Sequence, residues 1–336
     1  EAERQKEEER KADGIAATDP EQAQIEKGLI AYFENRDEEV EKIFGPLVQT
    51  SRNPVPANVL GYLKIDSQGK MKNVLEGNAF LLKRDDLLKE NESGSKAAFQ
   101  QIVPLVEKYA DAGSSRAQTF LGIMYDAGRG IPKDGRKASE WYRKAAEQGR
   151  AMAQYNLGDM YFYGRGVLQD DRQAVEWYRK AAEQGYDWAQ TALGWMYEFG
   201  RGVSQDHRQA VEWYRKAAEQ GDASAQLNLG GMYANGRGVS QDDRQAVEWY
   251  RKAAEQGDAK AQDNLGDMYR YGRGVAQDDR QAVEWYRKAA EQGNAWAQTS
   301  LGWMYLNGLG VSQDDRQAVE WSRKAAEQGD APAQRN

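Results

Sequence analysis

Apolar positions recur along this chain with a constant step of thirty-six residues. One full unit, residues 153–188, reads AQYNLGDMYFYGRGVLQDDRQAVEWYRKAAEQGYDW. Equivalent alanines open the successive copies at Ala117, Ala153, Ala189, Ala225, Ala261 and Ala297. Within each copy the apolar residues fall at helical spacing in two short stretches. A fixed period of this length predicts a solenoid, in which each repeat buries its apolar face against its neighbours.

Each unit predicts two short helices joined by a glycine turn. In the copy at Ala153 the first helix is expected from Met152 to Tyr163, with a reversal at residues 164–166, Gly-Arg-Gly. The second helix is expected to begin at Asp170, with Gln173 three residues later in a capping-box arrangement. It should end at Gly185, because glycine is the usual C-terminal cap. Helices this short are marginal alone in water, so stacking must supply the stability.

The positions that barely change between copies lie on one face of each predicted helix. On the first helix they are Ala153, Gln154, Leu157, Gly158, Met160, Tyr161 and Gly164. On the second helix they are Ala174, Trp177, Tyr178, Ala181 and Ala182. A shared, close-packed core between stacked repeats explains this uniformity. The opposite face of the second helix holds Arg, Gln, Glu and Lys, which predicts a solvated wall.

The motif AQxxLGxMYxxGxGVxxDxxxAxxWYxKAAExG resembles the Sel-1-like repeat of bacterial type, a relative of the tetratricopeptide repeat. The resemblance is close over residues 113–328. It implies an all-α fold, an α/α solenoid in which 36-residue helix-turn-helix repeats form a right-handed superhelix. It also implies that the first helix of each pair lines the concave side and that the protein is an interaction scaffold. The last copy departs from the motif at Leu309 and Ser322.

The chain divides into four predicted segments. Residues 1–18 begin with an almost wholly charged stretch that cannot bury enough surface to offset its ordering entropy, so a disordered spacer is expected. Residues 19–112 contain weak echoes of the unit, at Ala23-Gln24 with Gly28 and at 57–61, which predict an N-terminal cap of degenerate helical repeats. Residues 113–328 form six repeats, and residues 329–336 are interpreted as the start of a truncated further repeat.

The residues that vary between copies form one stripe on the first helix, at spacings of four, three and four. In the second copy the stripe is Met152, Asn156, Asp159 and Tyr163. Four of the ten tryptophans lie in this stripe, and the other six are the repeated core position. One stripe position holds Trp195 in one copy and Gly231 in another, which a close-packed site would not accept. A groove-lining stripe is therefore favoured over the alternative that these rings pack inside.

The stripe supplies the candidate partner-binding residues, because aromatic side chains are common anchors of protein interfaces. The predicted apolar anchors are Trp188, Trp195, Phe199, Trp296 and Trp303, with Met152 also in the stripe. The predicted polar contacts are Asp159, Tyr163, Asn228, Asn235, Asp267 and Tyr271. The third and sixth copies share the tryptophans, and the second and fifth share Asp and Tyr. Both a triplet duplication and a ligand with two like anchors explain this pattern.

Composition excludes several classes of function. A net charge of -7 and a pI near 5.2 argue against nucleic-acid binding, which needs clustered Lys and Arg. No apolar run reaches the roughly eighteen residues of a membrane-spanning segment. The chain has no cysteine, which rules out disulfides and thiol catalysis. Its one histidine, His207, lacks companions for a metal site. We expect neither a metal nor a cofactor.

Sequence fragments typical of enzymes are weak. The Gly-Arg-Gly turn is similar to part of a phosphate loop, but it recurs in copy after copy, which favours a structural turn. Ser67 and Lys70, and again Ser93 and Lys96, match the first motif of penicillin-recognising enzymes. The other two motifs of those enzymes are missing and both matches fall in predicted loops. The chain is therefore not expected to be an enzyme.

Three hypotheses follow from these patterns. The first is a non-enzymatic adaptor whose concave, aromatic-lined groove holds a partner protein or an extended peptide. The alternative is binding of a carbohydrate such as a peptidoglycan fragment, and a less favoured one is a cell-wall or β-lactam hydrolase. The charged N-terminal segment would suit a tether, so a periplasmic, cell-surface or secreted location is expected, with the cytoplasm as the alternative.

Overall fold

The structure of the chain is a computed structural model that describes residues 20–50, residue 55 and residues 92–328. These residues form fifteen α-helices and no strand. The helices are α1 Pro20–Phe33, α2 Asp37–Thr50, α3 Glu92–Asp111, α4 Ser115–Ala127, α5 Gly135–Glu147, α6 Ala151–Tyr163, α7 Asp171–Glu183, α8 Asp187–Phe199, α9 His207–Gln220, α10 Ala223–Asn235, α11 Asp243–Glu255, α12 Ala259–Tyr271, α13 Asp279–Glu291, α14 Ala295–Asn307 and α15 Asp315–Glu327. The predicted all-α solenoid of helix pairs is confirmed.

The helices belong to two compact units. The first unit contains the described residues up to Gln190 together with Arg201–Val203, and the second contains Thr191–Gly200 and the described residues from Ser204 onward. In the first unit α3 to α7 pack in succession, and α1 packs against α2, α3 and α4. In the second unit each helix from α9 to α15 packs against the next. Each repeat therefore contributes one helix pair to a stack.

Aspartate caps set the beginning of the second helix in each pair. The Asp170 carboxylate accepts hydrogen bonds of 2.9 and 3.1 Å from the backbone N–H groups of Arg172 and Gln173. The predicted reciprocal half of the capping box is wrong. The Gln173 side chain donates to Glu176 instead, and the Asp170 N–H donates to the Tyr161 carbonyl. That second bond ties the end of the interhelical loop back to the first helix.

The Gly-Arg-Gly segments are turns, as predicted. Gly164 ends α6 with φ of 66° and Gly166 follows with φ of 71°, both in the left-handed region that favours glycine. The second glycine has a further reason. A Cβ on Gly166 would overlap the carbonyl oxygen of Gly135 in the preceding repeat. The loop can approach that helix only because the residue has no side chain.

Close packing between the two helices of a repeat depends on a glycine and a tyrosine. A Cβ added to Gly158 in α6 would lie 2.6 Å from the ring of Tyr178 in α7. Gly194 and Tyr214, Gly230 and Tyr250, and Gly266 and Tyr286 repeat this contact. Around it Ala153, Leu157 and Met160 are fully buried.

Most of the core face predicted from the sequence is confirmed, but Gly164 is exposed and Tyr161 is half-buried. Of the repeated tryptophans, Trp177 is buried, and those at positions 141, 213, 249, 285 and 321 are half-buried.

Buried glutamines join successive repeats. The Gln154 side-chain amide donates a 3.1 Å hydrogen bond to the Ala146 carbonyl at the end of the preceding repeat. Its side-chain oxygen accepts a 2.7 Å bond from Gln184. The same glutamine pair occurs at residues 118 and 148, 226 and 256, 262 and 292, and 298 and 328. Gln154 gives the Ala146 carbonyl a second donor, in addition to the backbone N–H of Gly149, and so fixes the end of one repeat to the next.

The helices before the first full repeat reproduce part of this packing. Gly28 in α1 faces the Phe44 ring of α2 so closely that no Cβ would fit. Gly113, with φ of 96°, follows α3 in the left-handed region that favours glycine. Ser93 and Lys96 lie within α3, so the prediction of a loop there is wrong. The predicted segments 1–18 and 329–336, the weak repeat at 57–61 and the Ser67–Lys70 motif lie outside the described residues.

Candidate functional site

The predicted stripe is only partly exposed in the first unit. Met152 is 3% exposed and therefore lies in the core. Trp188 is half-buried, with its ring centroid 6.1 Å from that of Tyr155 and 5.9 Å from that of Tyr186. Tyr163, in contrast, is 64% exposed. Of these three residues, Tyr163 alone presents most of its surface to solvent.

Asp159, the remaining predicted binding residue of the first unit, already has a partner. Its carboxylate accepts a 2.6 Å hydrogen bond from the Tyr178 hydroxyl. Burial raises the pKa of Asp159, and the bond from Tyr178 and the charge of Arg165 partly offset that rise. The carboxylate thus satisfies a buried hydroxyl within its own repeat.

In the second unit the stripe aromatics divide into packed and open rings. The ring centroids of Trp195 and Phe199 are 4.9 Å apart, and the guanidinium carbon of Arg270 lies 4.0 Å from the ring centroid of Trp303. Both tryptophans are half-buried. The most open aromatic side chains of this unit are Trp296 (61% exposed), Tyr271 (59%) and Phe199 (52%).

The repeated core tyrosine donates its hydroxyl proton to a carboxylate in three repeats. Besides Tyr178, the Tyr214 hydroxyl donates to Glu198 over 2.8 Å, and the Tyr286 hydroxyl donates to Asp267 over 2.5 Å. Burial and the adjacent carboxylate raise the pKa of each of these tyrosines. Asp267 is therefore engaged in the same way as Asp159.

The fourth repeat departs from this arrangement. Its tyrosine, Tyr250, faces Gly231, and a Cβ added to residue 231 would lie 3.7 Å from the hydroxyl oxygen. Within the described residues the Tyr250 hydroxyl makes no hydrogen bond. Burial is the largest cause that raises the pKa of Tyr250, to about 12. The missing side chain leaves a hydroxyl facing open space.

That space is part of a pocket of about 710 Å³ in the second unit. Residues from the first helices of four successive repeats line it, together with Arg237 and Asn294 beside those helices and Tyr250 from α11. The lining residues are Glu198, Leu227, Asn228, Gly231, Met232, Asn235, Arg237, Tyr250, Lys260, Asp263, Asn264, Asn294, Ala295 and Trp296. The pocket therefore lies on the helix face that carries the variable stripe.

Several polar side chains of the pocket are unused by the fold. In the described part of the chain, the side chains of Asn228, Lys260, Asp263 and Asn264 make no hydrogen bond or ion pair. Trp296 similarly has no ring or cation contact among those residues. Buried and half-buried polar groups are normally satisfied within a protein. Their convergence without partners is typical of a binding site.

The charged residues of the pocket are not equivalent. Glu198 accepts from Tyr214 and lies 3.6 Å from Arg237, so its charge is balanced. Lys260 is exposed, whereas Asp263 is half-buried. Burial, followed by repulsion from the Asp267 carboxylate, raises the pKa of Asp263 to about 7. Of the two lining acids, Asp263 is the one without a hydrogen bond or an ion pair in the described part of the chain.

The pocket contains three of the residues predicted from the sequence, namely Asn228, Asn235 and Trp296. Sequence reasoning missed Asp263 and Tyr250. Tyr250 was assigned to the core, where its ring does lie. Asp263 stands one position beside the core face, where other copies have Thr, Tyr or Leu. That change from uncharged to charged was a signal that could have found it.

Other candidate chemistry is lacking in the part of the chain that the structure describes. No group of three or more His, Asp and Glu side chains there could hold a metal ion. No described helix is long and apolar enough to cross a membrane. His207 begins α9 next to the capping Asp206.

Comparison with known proteins identifies the repeated unit. Six segments match the Sel1 repeat, at residues 115–149, 151–186, 189–222, 223–258, 259–294 and 297–330. They cover well over half of the chain and coincide with the helix pairs α4/α5 to α14/α15. The chain has no match among curated proteins.

Two bacterial crystal structures are similar to this chain over much of its length. A Sel1 repeat protein from Oxalobacter formigenes is 36% identical, with a TM-score of 0.62 over 71% of this chain and 93% of that one. The c5321 protein is a protective antigen present in uropathogenic Escherichia coli strains, with an SLR fold. It is 35% identical, with a TM-score of 0.64 over 97% of this chain. This chain spans 65% of the length of c5321.

Proposed function

The chain belongs to the Sel1 repeat family, and we propose that it is a non-enzymatic adaptor that binds an extended peptide segment of a partner protein in the pocket of its second unit. Sel1 repeat proteins generally serve as non-catalytic protein-interaction scaffolds. The adaptor role agrees with that general property. The pocket and the peptide are what the proposal adds.

One observation carries the proposal. Polar side chains without partners converge with an exposed tryptophan in a single pocket of about 710 Å³. Trp296, 61% exposed, is a large side chain of the kind that anchors protein interfaces. Asn228 and Asn264 each offer a donor and an acceptor that can bond to a peptide backbone. An extended peptide presents both kinds of group at regular spacing along its length.

A peptide library tests this proposal. Random nonapeptides displayed on phage would be selected on the full chain, and one enriched peptide would be labelled for fluorescence anisotropy. Trp296→Ala should weaken its binding at least about tenfold, the usual cost of losing an interface anchor. Val319→Ala is the matched control, because Val319 is an exposed apolar residue that does not line the pocket.

Two results would refute the peptide-binding proposal. One is a selection that enriches no peptide over uncoated wells. The other is a selected peptide that binds Trp296→Ala, Val319→Ala and the wild type with the same affinity.

Carbohydrate binding is the second candidate. An exposed tryptophan beside unpaired amides also suits a sugar ring, which can stack on the indole and bond to Asn228 and Asn264. Calorimetric titration with soluble peptidoglycan fragments distinguishes the two. Saturable heat that disappears in Trp296→Ala would favour the sugar, and its absence would leave the peptide.

For location we propose the periplasm or the cell surface. The similar c5321 protein is a protective antigen, which supports an envelope location for a relative of this kind. Fractionation of cells that express a tagged chain, combined with protease treatment of intact cells, would check it. Recovery of the tagged chain from the cytoplasm alone would contradict the proposal.

A further inference from the structure

The pocket of the second unit has a chemical preference that follows from Asp263, its half-buried charged residue without a partner among the described residues. Asp263 is half-buried in the pocket wall and makes no hydrogen bond or ion pair in the described part of the chain. A carboxylate in such a position gains most from a ligand of opposite charge, because little water competes for it. Lys260 is exposed, so water competes with an anion for its ammonium group, and the attraction of Lys260 for an anion is weaker.

The uncharged groups around Asp263 suit the same kind of ligand. Tyr250 presents a free hydroxyl oxygen, and Asn228 and Asn264 present amide oxygens, all of which accept from N–H donors. The open ring of Trp296 offers an aromatic face that attracts cations. An ammonium or guanidinium group has only donors, so these acceptors can all serve it.

Building on the peptide-binding role proposed above, we infer that the pocket receives a cationic side chain of the partner, a lysine or an arginine, and that Asp263 is its counter-ion. The specificity of the site then comes from two changes in neighbouring repeats. Gly231 leaves out the side chain that would cover the Tyr250 hydroxyl. Asp263 places a charge where other copies have uncharged residues.

Within the described residues, no charged group around Asp263 forms an ion pair with it, so a cationic ligand can take that place. Burial, and after it the Asp267 carboxylate on the same helix, raise the pKa of Asp263, and Asp267 itself accepts a hydrogen bond from Tyr286 of α13. Glu198 of α8 is balanced by Arg237 after α10. The remaining charged or titratable groups nearby are Tyr250 of α11, Lys260 of α12 and Arg273, which follows α12 and bonds to Asp243.

The inference also predicts the direction of a pH effect on binding. A cation binds the ionised form of Asp263, and the pKa of this group in the free protein is about 7. Raising the pH from 6 to 8 therefore increases the ionised fraction, and the affinity with it, by about tenfold. A neutral ligand would show no such increase.

Small capped amino acids test the inference directly. Nα-acetyl-lysine amide, which keeps its side-chain ammonium, and its neutral analogue Nα-acetyl-norleucine amide would be titrated into the full chain labelled with ¹⁵N at the tryptophan indoles. The signal of Trp296 is assigned as the one lost in Trp296→Phe. The lysine probe should shift that signal saturably, and Asp263→Asn should reduce its affinity at least tenfold and abolish the pH effect.

The control variant is Glu284→Gln, which removes one negative charge from an exposed position outside the pocket lining. It should leave the affinity for the lysine probe unchanged, which separates a local counter-ion from the net charge of -7.

Failure of this inference can be distinguished from failure of peptide binding. If both probes bind equally, or if Asp263→Asn binds the lysine probe as well as wild type does, the cationic preference is wrong and the pocket can still bind peptides. If neither probe moves the Trp296 signal, the inference is also wrong. The phage-selected peptides then decide separately whether the pocket binds any peptide.

Discussion

Gly231 and the Tyr250 hydroxyl face each other in the fourth repeat, with room for a Cβ 3.7 Å from the oxygen. In the second and fifth repeats the residue in this position is Asp159 or Asp267, and it accepts the tyrosine proton. With the same backbone geometry, the tyrosine hydroxyl is hydrogen-bonded to a carboxylate in the second and fifth repeats and faces the pocket in the fourth.

Gly231→Asp should convert the fourth repeat to the closed arrangement. The new carboxylate can accept from Tyr250, and the loss of a helical glycine adds to the stability, for a gain of about 0.5–1 kcal/mol in the free energy of unfolding. The selected peptide should bind at least about tenfold more weakly, because the pocket is filled. Urea unfolding and anisotropy measure the two effects. Unchanged peptide binding would contradict the assignment of this pocket.

Tyrosine-to-phenylalanine changes should differ between repeats. Tyr178→Phe removes the 2.6 Å hydrogen bond to the half-buried Asp159 carboxylate and should cost about 1–3 kcal/mol. Tyr250→Phe breaks no hydrogen bond within the described residues and should change stability by less than about 0.5 kcal/mol. Urea titration at pH 7 gives both values. Equal losses in the two variants would show that the Tyr178 bond is not what stabilises its repeat.

Stability should depend on pH through Asp263. Its pKa is about 7 in the folded chain, against about 3.9 when unfolded, so the folded state binds more protons between these values. The contribution of Asp263 to the free energy of unfolding is therefore fully present below about pH 4 and is lost as the pH rises through about 7. Asp263→Asn removes the unpaired charge and should be more stable than wild type at pH 8 by about 1–2 kcal/mol, discounted for partial exposure.

The measurement is the free energy of unfolding at pH 4.5 and pH 8 for wild type, Asp263→Asn and Glu284→Gln. Asp263→Asn should show a smaller fall between the two pH values than the other two proteins. A fall of the same size in all three would mean that other carboxyl groups, such as the half-buried Asp222, dominate.

Two glycine-to-alanine changes should have opposite signs. Gly158→Ala would place a Cβ 2.6 Å from the Tyr178 ring and should destabilise by about 1–3 kcal/mol through overpacking. Gly231→Ala would place its Cβ at an ordinary contact distance of 3.7 Å from the Tyr250 hydroxyl oxygen and should stabilise its helix by about 0.5–1 kcal/mol. Thermal unfolding compares them side by side. Destabilisation by both would show that the pocket is tighter than its volume indicates.

The two classes of tryptophan should separate stability from binding. Trp177 is 8% exposed, with the Lys180 ammonium 3.8 Å from its ring, and Trp177→Ala should cost about 3–5 kcal/mol by leaving a cavity. Trp296→Ala should cost less than about 1 kcal/mol while weakening peptide binding. Calorimetric melting of both variants measures the two losses of stability. Similar losses of stability would place Trp296 in the core.

Much of the fold was predictable because the repeat fixes local structure many times over. The aspartate at Asp170 and the glycines at Gly164 and Gly185 act through backbone conformation and short-range hydrogen bonds, which depend on neighbours in sequence. The Gln173 half of the capping box failed, since the Asp170 N–H bonds to the distant Tyr161 carbonyl.

The candidate site was less predictable, because exposure on a helix face depends on what the next helix brings to it. Asp159 and Gly231 occupy the same stripe position, yet one is covered by a hydroxyl and the other leaves a hydroxyl open. Met152 and Trp296 also share a position, and one is 3% and the other 61% exposed. No single-helix pattern distinguishes such pairs.

The sequence by itself determined that this chain is a stack of helix pairs, where each helix begins and ends, and which face forms the core. These features rest on periodicity and on local backbone preferences. Only the tertiary structure decided which variable side chains form hydrogen bonds within the protein and which remain available to a ligand. Tyr250 and Asp263 lie in separate helices and become one site because two helices pack together. Hydrogen bonds between packed helices, which satisfy Asp159 and Asp267 but leave Asp263 unpaired, made that distinction.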